Sequence, residues 1–247
     1  MAGQLEQDIE ASKSLRPGSD HYRSYVGPPA QFDFMGATQF RLLTSLGLTE
    51  EHTVLDLGCG SLRAGRFLIH YLLPGRYMGV EPNAWLWQQA LDREIGADIV
   101  NLKRPTFVTD ASFDLPAVQD ESIDVAVAQS IYSHAGLEAI RQSLSAMARV
   151  LKPDGQVLFT AIVEGDPSHS LIEPGESAPD WVYPECVYYS SETILSTVEQ
   201  TGLVGQQLSW FHPRQTWFRA VLDSKLLLTP ELESELGTGR PLFDARF

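Results

Sequence analysis

The segment that most constrains the fold is a short apolar run, residues 53–57, that passes directly into the turn 58–60. Glycine has no Cβ, so the backbone at Gly58 and Gly60 can approach a ligand closely. A second apolar run ends twenty-one residues after Gly60, at Glu81. In open α/β sheets a carboxylate at this place accepts hydrogen bonds from the ribose hydroxyls of a nucleotide. The pair predicts a nucleoside-binding site at the ends of two strands.

Strand and helix patterns alternate through the middle of the chain, which implies a mostly parallel sheet with helices on both faces. Strands are predicted at 54–57, 77–80, 107–109, 123–128 and 156–163, the last one preceded by a tight turn at 153–155. Helices are predicted at 62–73, 84–95, 137–150 and 192–201. The strands at 203–211 and 216–222 are joined by only four residues, so we expect them to pair antiparallel.

The ends of the chain predict smaller elements. Residues 1–19 are typical of a short helix or frayed tail, 22–34 of an ordered aromatic loop, and 36–46 of a helix that ends at Gly47. A terminal helix at 230–236 would be capped by Thr229. We therefore expect an N-terminal cap of helices and loop at 1–50 and a sheet domain at 51–247. Within it, the proline- and aromatic-rich segment 164–190 is predicted as an irregular insertion beside the substrate.

Composition excludes several classes of partner. The chain carries 18 Lys and Arg against 32 Asp and Glu, a net charge of −14, which disfavours nucleic acids and anionic membranes as partners. No apolar run is long enough to span a bilayer, and the N-terminus lacks the apolar core of a signal peptide. Only two cysteines occur, Cys59 and Cys186, which is typical of a reducing cytoplasm. We expect a cytoplasmic protein; the sequence does not predict its oligomeric state.

Three kinds of nucleotide site can be built on a glycine turn. A phosphate-binding P-loop needs Gly-Lys-Ser/Thr, whereas Gly60 is followed by Ser61 and Leu62. A dinucleotide fingerprint needs a third glycine where this chain has Arg63, and Asp56 would repel a pyrophosphate. A cationic cofactor without phosphate, such as S-adenosylmethionine, fits the acidic surroundings better.

The same segments resemble the motifs of class I S-adenosylmethionine-dependent methyltransferases. Residues 56–60 are similar to the first motif of that family, and Glu81 to the acidic residue after its second strand. Asp110 resembles the acidic residue after the third strand, 127–130 the end of the fourth, and 149–155 the approach to the fifth. The resemblance implies a Rossmann-like, doubly wound, seven-stranded α/β sheet whose seventh strand runs against the others. The dinucleotide-binding fold remains the structural alternative for Glu81 and Asp110.

The resemblance also implies roles for individual residues: backbone contacts from the glycine turn to the amino acid end and ribose, Glu81 on the ribose hydroxyls, and Asp110 with Ala111 at the adenine. The expected cofactor-binding residues are Asp56, Gly58, Cys59, Gly60, Arg63, Glu81, Pro82, Asp110, Ala111 and Gln129. Asp56 would organise the turn or meet the ammonium group of the cofactor. Arg63 would pair with the cofactor carboxylate or with Asp56, unless it is a plain surface arginine.

The methyl acceptor is less well marked. His134 follows the fourth strand, where open α/β sheets bind ligands. A histidine suits the role of general base, because unperturbed imidazoles change charge near neutral pH. Tyr25, Tyr132, Trp181 and His212 are predicted to contact the acceptor. The six histidines show no paired ligand spacing, so no metal is expected.

We expect a methyltransferase that acts on a hydroxyl of a small molecule or sugar and releases S-adenosyl-L-homocysteine. The alternatives are a nitrogen, sulfur or carboxylate acceptor, a protein or nucleic-acid methyltransferase, and a non-catalytic module that only binds the cofactor.

Overall fold

The computed structural model describes residues 2–164, 171–172, 181–183, 185–239 and 242. The strands in this part of the chain are β1 (Val54–Leu57), β2 (Tyr77–Val80), β3 (Thr106–Val108), β4 (Ile123–Ala128), β5 (Leu151–Ala161), β6 (Leu171–Ile172), β7 (Cys186–Val187), β8 (Val204–Leu208) and β9 (Thr216–Val221). The α-helices are α1 (Ala2–Ser12), α2 (Tyr22–Tyr25), α3 (Phe32–Ser45), α4 (Gly65–Tyr71), α5 (Ala84–Ala90), α6 (Ala97–Lys103), α7 (Leu137–Val150), α8 (Ser191–Glu199) and α9 (Pro230–Leu236). Shorter helical turns lie at Pro29–Gln31, Leu91–Ile95, Tyr132–His134 and Ser224–Leu226.

Seven strands form one mixed sheet in the order β3-β2-β1-β4-β5-β9-β8. The strands β1 to β5 pair parallel, whereas β9 runs antiparallel to both β5 and β8. The predicted seven-stranded, doubly wound sheet with an antiparallel C-terminal pair is confirmed. The strand order reverses between β1 and β4, and ligands of open α/β sheets bind in the crevice outside the carboxyl ends at such a point.

Both faces of the sheet are covered. Successive residues of β1 point to opposite faces: Val54 belongs to one apolar core and Leu55 to the other. The first core packs against α3 and α4, and the second against α7 and α8. Because both faces are buried, the inner strands are nearly continuous apolar runs, interrupted by Asp56 in β1 and Asp124 in β4.

Three local predictions are wrong in detail. The segment expected as an aromatic loop, 22–34, instead forms α2, a 3₁₀ turn and the start of α3. The helix expected at 62–73 begins only at Gly65, because Leu62 has a positive φ of 57° that a right-handed helix does not allow. The turn at 153–155 does not precede the fifth strand but is absorbed in β5 as a bulge.

Other predicted boundaries hold. The terminal helix α9 is capped by Thr229, whose hydroxyl accepts the Leu232 N–H. Helix α3 contributes Leu42 and Leu43 to the same core as β1, so the N-terminal segment is packed on the sheet. The boundary at residue 50 stays a prediction, and most of the insertion expected at 164–190 lies outside the described residues. None of the helices described is long and apolar enough to cross a membrane.

Candidate active site

A cavity of about 1000 Å³ opens at the carboxyl ends of β1, β2 and β4. All ten residues predicted to bind the cofactor line it: Asp56, Gly58, Cys59, Gly60, Arg63, Glu81, Pro82, Asp110, Ala111 and Gln129. Tyr25, His134 and Trp181 line it as well. The structure therefore brings the separate motifs of the sequence together in one space.

The glycine turn forms the floor of this cavity. Gly58 and Gly60 have φ angles of +69° and +50°, in the left-handed region that favours glycine. A Cβ at Gly58 would overlap the side chain of Ile131, and one at Gly60 would lie 2.8 Å from Cγ1 of Val26. The missing side chains are thus required by the protein's own packing as well as by the turn.

Asp56 is a buried carboxylate at the end of β1. It accepts a hydrogen bond from the hydroxyl of Tyr77 at 2.8 Å. Burial raises the pKa of the Asp56 carboxyl to about 6, although the Tyr77 hydrogen bond and the charge of Arg63 oppose the rise. A cation bound next to Asp56 would favour the charged carboxylate and lower that pKa again.

Glu81 lies at the end of β2 and is held by the residues that follow it. Its Oε1 accepts hydrogen bonds from the Asn83 backbone N–H at 2.9 Å and from the Asn83 amide at 3.0 Å. Burial raises the pKa of the Glu81 carboxyl, while these bonds and one from the Gly60 backbone lower it. The carboxylate is therefore fixed in orientation at the cavity wall, where it can accept hydrogen bonds from a diol.

Arg63 is enclosed in the cavity wall and is not a surface arginine. Its Nη1 donates to the Val26 carbonyl at 3.2 Å. A Cβ at Gly36 would overlap the Arg63 carbonyl, so this glycine lets α3 approach the turn closely. Burial, together with repulsion from Arg214, lowers the pKa of the Arg63 guanidinium to about 10. Arg63 therefore provides a positive charge inside the cavity, whereas Asp56 provides a negative one when ionised.

Asp110 follows β3 and shapes the loop that carries Ala111. Its two oxygens accept hydrogen bonds from the backbone N–H of Ser112 at 2.9 Å and from the Ser112 hydroxyl at 3.0 Å. This local turn holds the loop at the cavity edge, beside Pro82.

Gln129 and Ser133 present polar atoms that no described residue satisfies. Both amide atoms of Gln129 and the hydroxyl of Ser133 are buried without a hydrogen-bond partner in the described part of the chain. Both residues line the cavity. Because buried polar groups are nearly always paired in folded proteins, these atoms indicate contact with a bound molecule.

The N-terminal segment forms one wall of the cavity through Tyr25, Val26 and Gly27. It is anchored by Glu94, which accepts hydrogen bonds from the Tyr22 hydroxyl at 2.7 Å and from Arg23. Glu94 also pairs with Arg66 at 3.1 Å. A buried, multiply bonded carboxylate thus ties this wall to the chain after α5.

The opposite wall carries His134, Trp181 and Tyr183. The His134 ring lies 5.8 Å from that of Trp181 and 5.2 Å from that of Tyr183, between ring centroids. The Val182 N–H donates to the His134 carbonyl at 2.8 Å. This wall is therefore bonded to the turn after β4, and Tyr183 also contacts Tyr25 across the cavity mouth, with ring centroids 6.1 Å apart.

Two predicted contact residues lie outside the cavity. Tyr132 is fully buried in the core, and its hydroxyl hydrogen bonds with Ser143 at 2.8 Å. His212 lies in the link between β8 and β9, where its Nδ1 accepts the backbone N–H groups of Arg214 and Gln215. The structure therefore assigns both side chains to packing and turn formation.

Sequence reasoning missed several cavity residues, among them Asn83, Ser130, Ser133, Arg214 and Gln215. Asn83 follows Glu81 so closely that its place could have been inferred. Arg214 and Gln215 stand directly beside His212, so the sequence indicates the link, but the residues of the link that line the cavity are Arg214 and Gln215 and not His212. In the part of the chain that the structure covers, no group of three metal-ligating side chains is close enough to hold an ion.

Comparisons with known proteins agree with this site. Residues 55–157 match the family model described as a methyltransferase domain. The fold resembles a SAM-dependent methyltransferase from Aquifex aeolicus, with a TM-score of 0.58 and 15% identity over 85% of this chain and 100% of that one.

Two further solved structures share the fold. One is the magnesium protoporphyrin IX methyltransferase of Synechocystis PCC 6803 with bound SAH, with a TM-score of 0.54 and 13% identity over 90% of this chain and 94% of that one. Another is from a complex of a methyltransferase with the Haloferax volcanii activator Trm112, with a TM-score of 0.58 and 19% identity over 78% and 93%. Residues 55–157 thus match a methyltransferase domain, and the chain has the fold of S-adenosylmethionine-dependent methyltransferases.

Proposed function

We propose that this methyltransferase acts on a hydroxyl group of a small-molecule or sugar acceptor. The observation that carries the proposal is the hydrogen bond of 2.5 Å between His134 Nδ1 and the Glu185 carbonyl. A carbonyl oxygen only accepts, so Nδ1 donates and Nε2 is the nitrogen that can take a proton. This is the tautomer that a general base for an alcohol requires.

The cavity residues fit the cofactor. The fixed carboxylate of Glu81 suits the ribose hydroxyls, Asp56 suits the ammonium group, and Arg63 suits the carboxylate. Asp110, Ala111 and Pro82 would border the adenine, and the unsatisfied amide of Gln129 would meet the methionyl part. When bound, S-adenosylmethionine supplies a methyl group that is attached to a positively charged sulfur. The sulfur is the leaving group, and it becomes a neutral thioether.

Because the leaving group is neutral, the protein needs no general acid. Its residues have to align the acceptor oxygen and to exclude water, and alignment alone provides effective molarities of roughly 10⁵–10⁸ M. We assign alignment to Ser133 and the walls formed by Tyr25, Trp181 and Tyr183. His134 would remove the proton from the acceptor hydroxyl and hold it on Nε2.

The other predicted properties remain part of this proposal. A cavity enclosed by two walls suits a small acceptor better than a polymer, and the net charge of −14 disfavours nucleic acid and anionic membranes. The cytoplasm is the proposed location.

The test uses methyl-labelled cofactor and matched acceptors that present a hydroxyl, an amine, a thiol or a carboxylic acid on the same set of carbon skeletons. Label in the hydroxyl compounds is the expected result. Transfer only to amines, thiols or carboxylates would overturn the proposed hydroxyl acceptor and would identify a nitrogen, sulfur or carboxylate acceptor instead. Tight cofactor binding without transfer to any member, in a panel that includes crude small-molecule extract, would favour a non-catalytic module.

A further inference from the structure

Arg214 is a second positive group in the cavity that the proposed cofactor contacts do not use. It lines the same cavity as Arg63. The two guanidinium groups are close enough for Arg214 to contribute to the lowered pKa of Arg63. Arg214 also acts on the thiol of Cys186, where its charge opposes the rise in pKa that burial causes. Arg63, Arg214 and Cys186 all line this cavity.

Cys186 lines the same cavity as Arg214 and lies next to the proposed base. The sulfur of Cys186 lies 3.8 Å from Nδ1 of His134, the proposed base. Arg63 lies shortly after the glycine turn and lines the same cavity, and its charge acts on Asp56. Arg214 thus lines one cavity together with the proposed base and the glycine turn, which is where the acceptor of the proposed reaction has to bind.

The link that carries Arg214 is held in place by side chains. Nδ1 of His212 accepts the Arg214 N–H at 3.2 Å and the Gln215 N–H at 3.0 Å. The Gln215 amide donates to the Ser130 hydroxyl at 3.1 Å, and the Ser130 N–H donates to the Thr160 hydroxyl at 2.8 Å. Arg214 is therefore positioned on a preorganised turn that is bonded to the end of β4.

The chemistry of this arrangement favours an oxyanion. A guanidinium has five N–H donors in a rigid fork, so it can hold a neighbouring group and a ligand at once, and the fork matches a carboxylate or phosphate. Two cations enclosed in one cavity repel each other, and an anion bound between them relieves that repulsion.

We infer that Arg214 binds an oxyanion, a carboxylate or phosphate group, of the methyl acceptor, and so selects acceptors that are both hydroxylated and acidic. The inference rests on the proposed function, because that function locates the acceptor beside His134. Next to Arg214, the Gln215 amide oxygen is buried with no partner among the described residues. It would accept a hydrogen bond from a hydroxyl of the same molecule.

The test is calorimetric titration of inorganic phosphate and of benzoate into protein saturated with S-adenosylhomocysteine, whose own carboxylate fills the cofactor site. Saturable binding of at least one anion is expected. The variant Arg214→Gln should weaken it about tenfold or more, as for loss of a charged hydrogen-bond partner. Arg214→Lys should bind the anion with an affinity between those of the wild type and Arg214→Gln, because lysine keeps the charge but lacks the forked guanidinium donors. Arg104→Gln, at an exposed arginine, is the matched control and should bind like the wild type.

The outcomes separate this inference from the proposed function. Each variant is first titrated with S-adenosylhomocysteine, and unchanged affinity shows an intact fold and cofactor site. Equal anion affinity in the wild type and in Arg214→Gln means an adventitious ion only and overturns the inference. So does a wild type that binds S-adenosylhomocysteine but neither anion. Failure of the wild-type protein to bind S-adenosylhomocysteine would instead overturn the proposed function.

Discussion

The hydroxyl of Tyr77 donates a hydrogen bond of 2.8 Å to Oδ2 of Asp56, and both groups are buried. Tyr77 begins β2 and Asp56 lies near the end of β1, so the bond joins neighbouring strands beneath the glycine turn. It keeps the buried Asp56 carboxylate at the floor of the cavity, where an unpaired charge would be costly. In the function proposed above, this carboxylate meets the cationic end of the cofactor, which would offset the cost.

Replacing Asp56 by Asn should stabilise the free protein above neutral pH. The folded pKa of Asp56 is about 6 and its ordinary value is 3.8, so the folded state binds more protons and its stability falls as pH rises through about 6. At about 1.4 kcal/mol per pH unit, this cost reaches up to about 3 kcal/mol at pH 8. Urea unfolding at pH 8 and pH 4 should show a gain for Asp56→Asn only at pH 8.

The same substitution should weaken S-adenosylmethionine binding, because the ammonium group loses its counter-charge. Asp154→Asn, at an exposed carboxylate, is the control for both measurements. An equal or larger gain in stability at pH 4 would show that the buried charge is not the cause.

Replacing Glu81 by Ala should weaken S-adenosylmethionine binding by about 1–3 kcal/mol, the range for losing a charged hydrogen-bond partner. That corresponds to roughly 5- to 150-fold in Kd. Isothermal titration calorimetry measures it, with the exposed Glu51→Ala as the matched control. If Glu81→Ala binds the cofactor as tightly as Glu51→Ala does, Glu81 does not hold the ribose.

Replacing His134 should lower turnover without changing cofactor affinity. General bases typically contribute about 10²–10⁴ in rate. The variant His134→Asn keeps an N–H that can donate to the Glu185 carbonyl, as Nδ1 does now, but removes the basic nitrogen. Both His134→Asn and His134→Ala should therefore be slow, whereas the exposed His70→Ala should be normal. Full activity in His134→Asn alone would mean that His134 only holds the wall.

Replacing Gly58 by Ala should cost more stability than replacing Gly75 by Ala. Both glycines have positive φ, +69° and +77°, but a Cβ at Gly75 meets nothing within 4 Å whereas one at Gly58 overlaps Ile131. The left-handed backbone costs about 1–2 kcal/mol at either site. The overlap should add about 1–3 kcal/mol at Gly58, as measured by urea unfolding.

The double variant Gly58→Ala with Ile131→Ala provides a check on the cause. Removing the overlapping side chain should recover part of the loss, relative to Ile131→Ala alone. Equal losses for Gly58→Ala and Gly75→Ala would show that Ile131 moves away at no cost.

The sequence by itself determined the strands β1, β2 and β4, the glycine turn and Glu81. Each of these is a local pattern: an apolar run fixes a buried strand, and the residues directly after it must lie at the carboxyl edge of the sheet. All ten predicted cofactor residues therefore line the cavity, since each one lies at the end of a strand or within six residues after it.

Only the tertiary structure decided which acceptor-side residues face the cavity. In the turn Tyr132–His134, Tyr132 enters the core and His134 faces the cavity, although both stand in one short segment. In the link after β8, the His212 ring accepts the backbone N–H groups of Arg214 and Gln215. These two residues line the cavity, and His212 does not. Side-chain direction in such turns depends on contacts with residues distant in the chain, Ser143 for Tyr132 and Ser130 for Gln215, and no local pattern encodes those contacts.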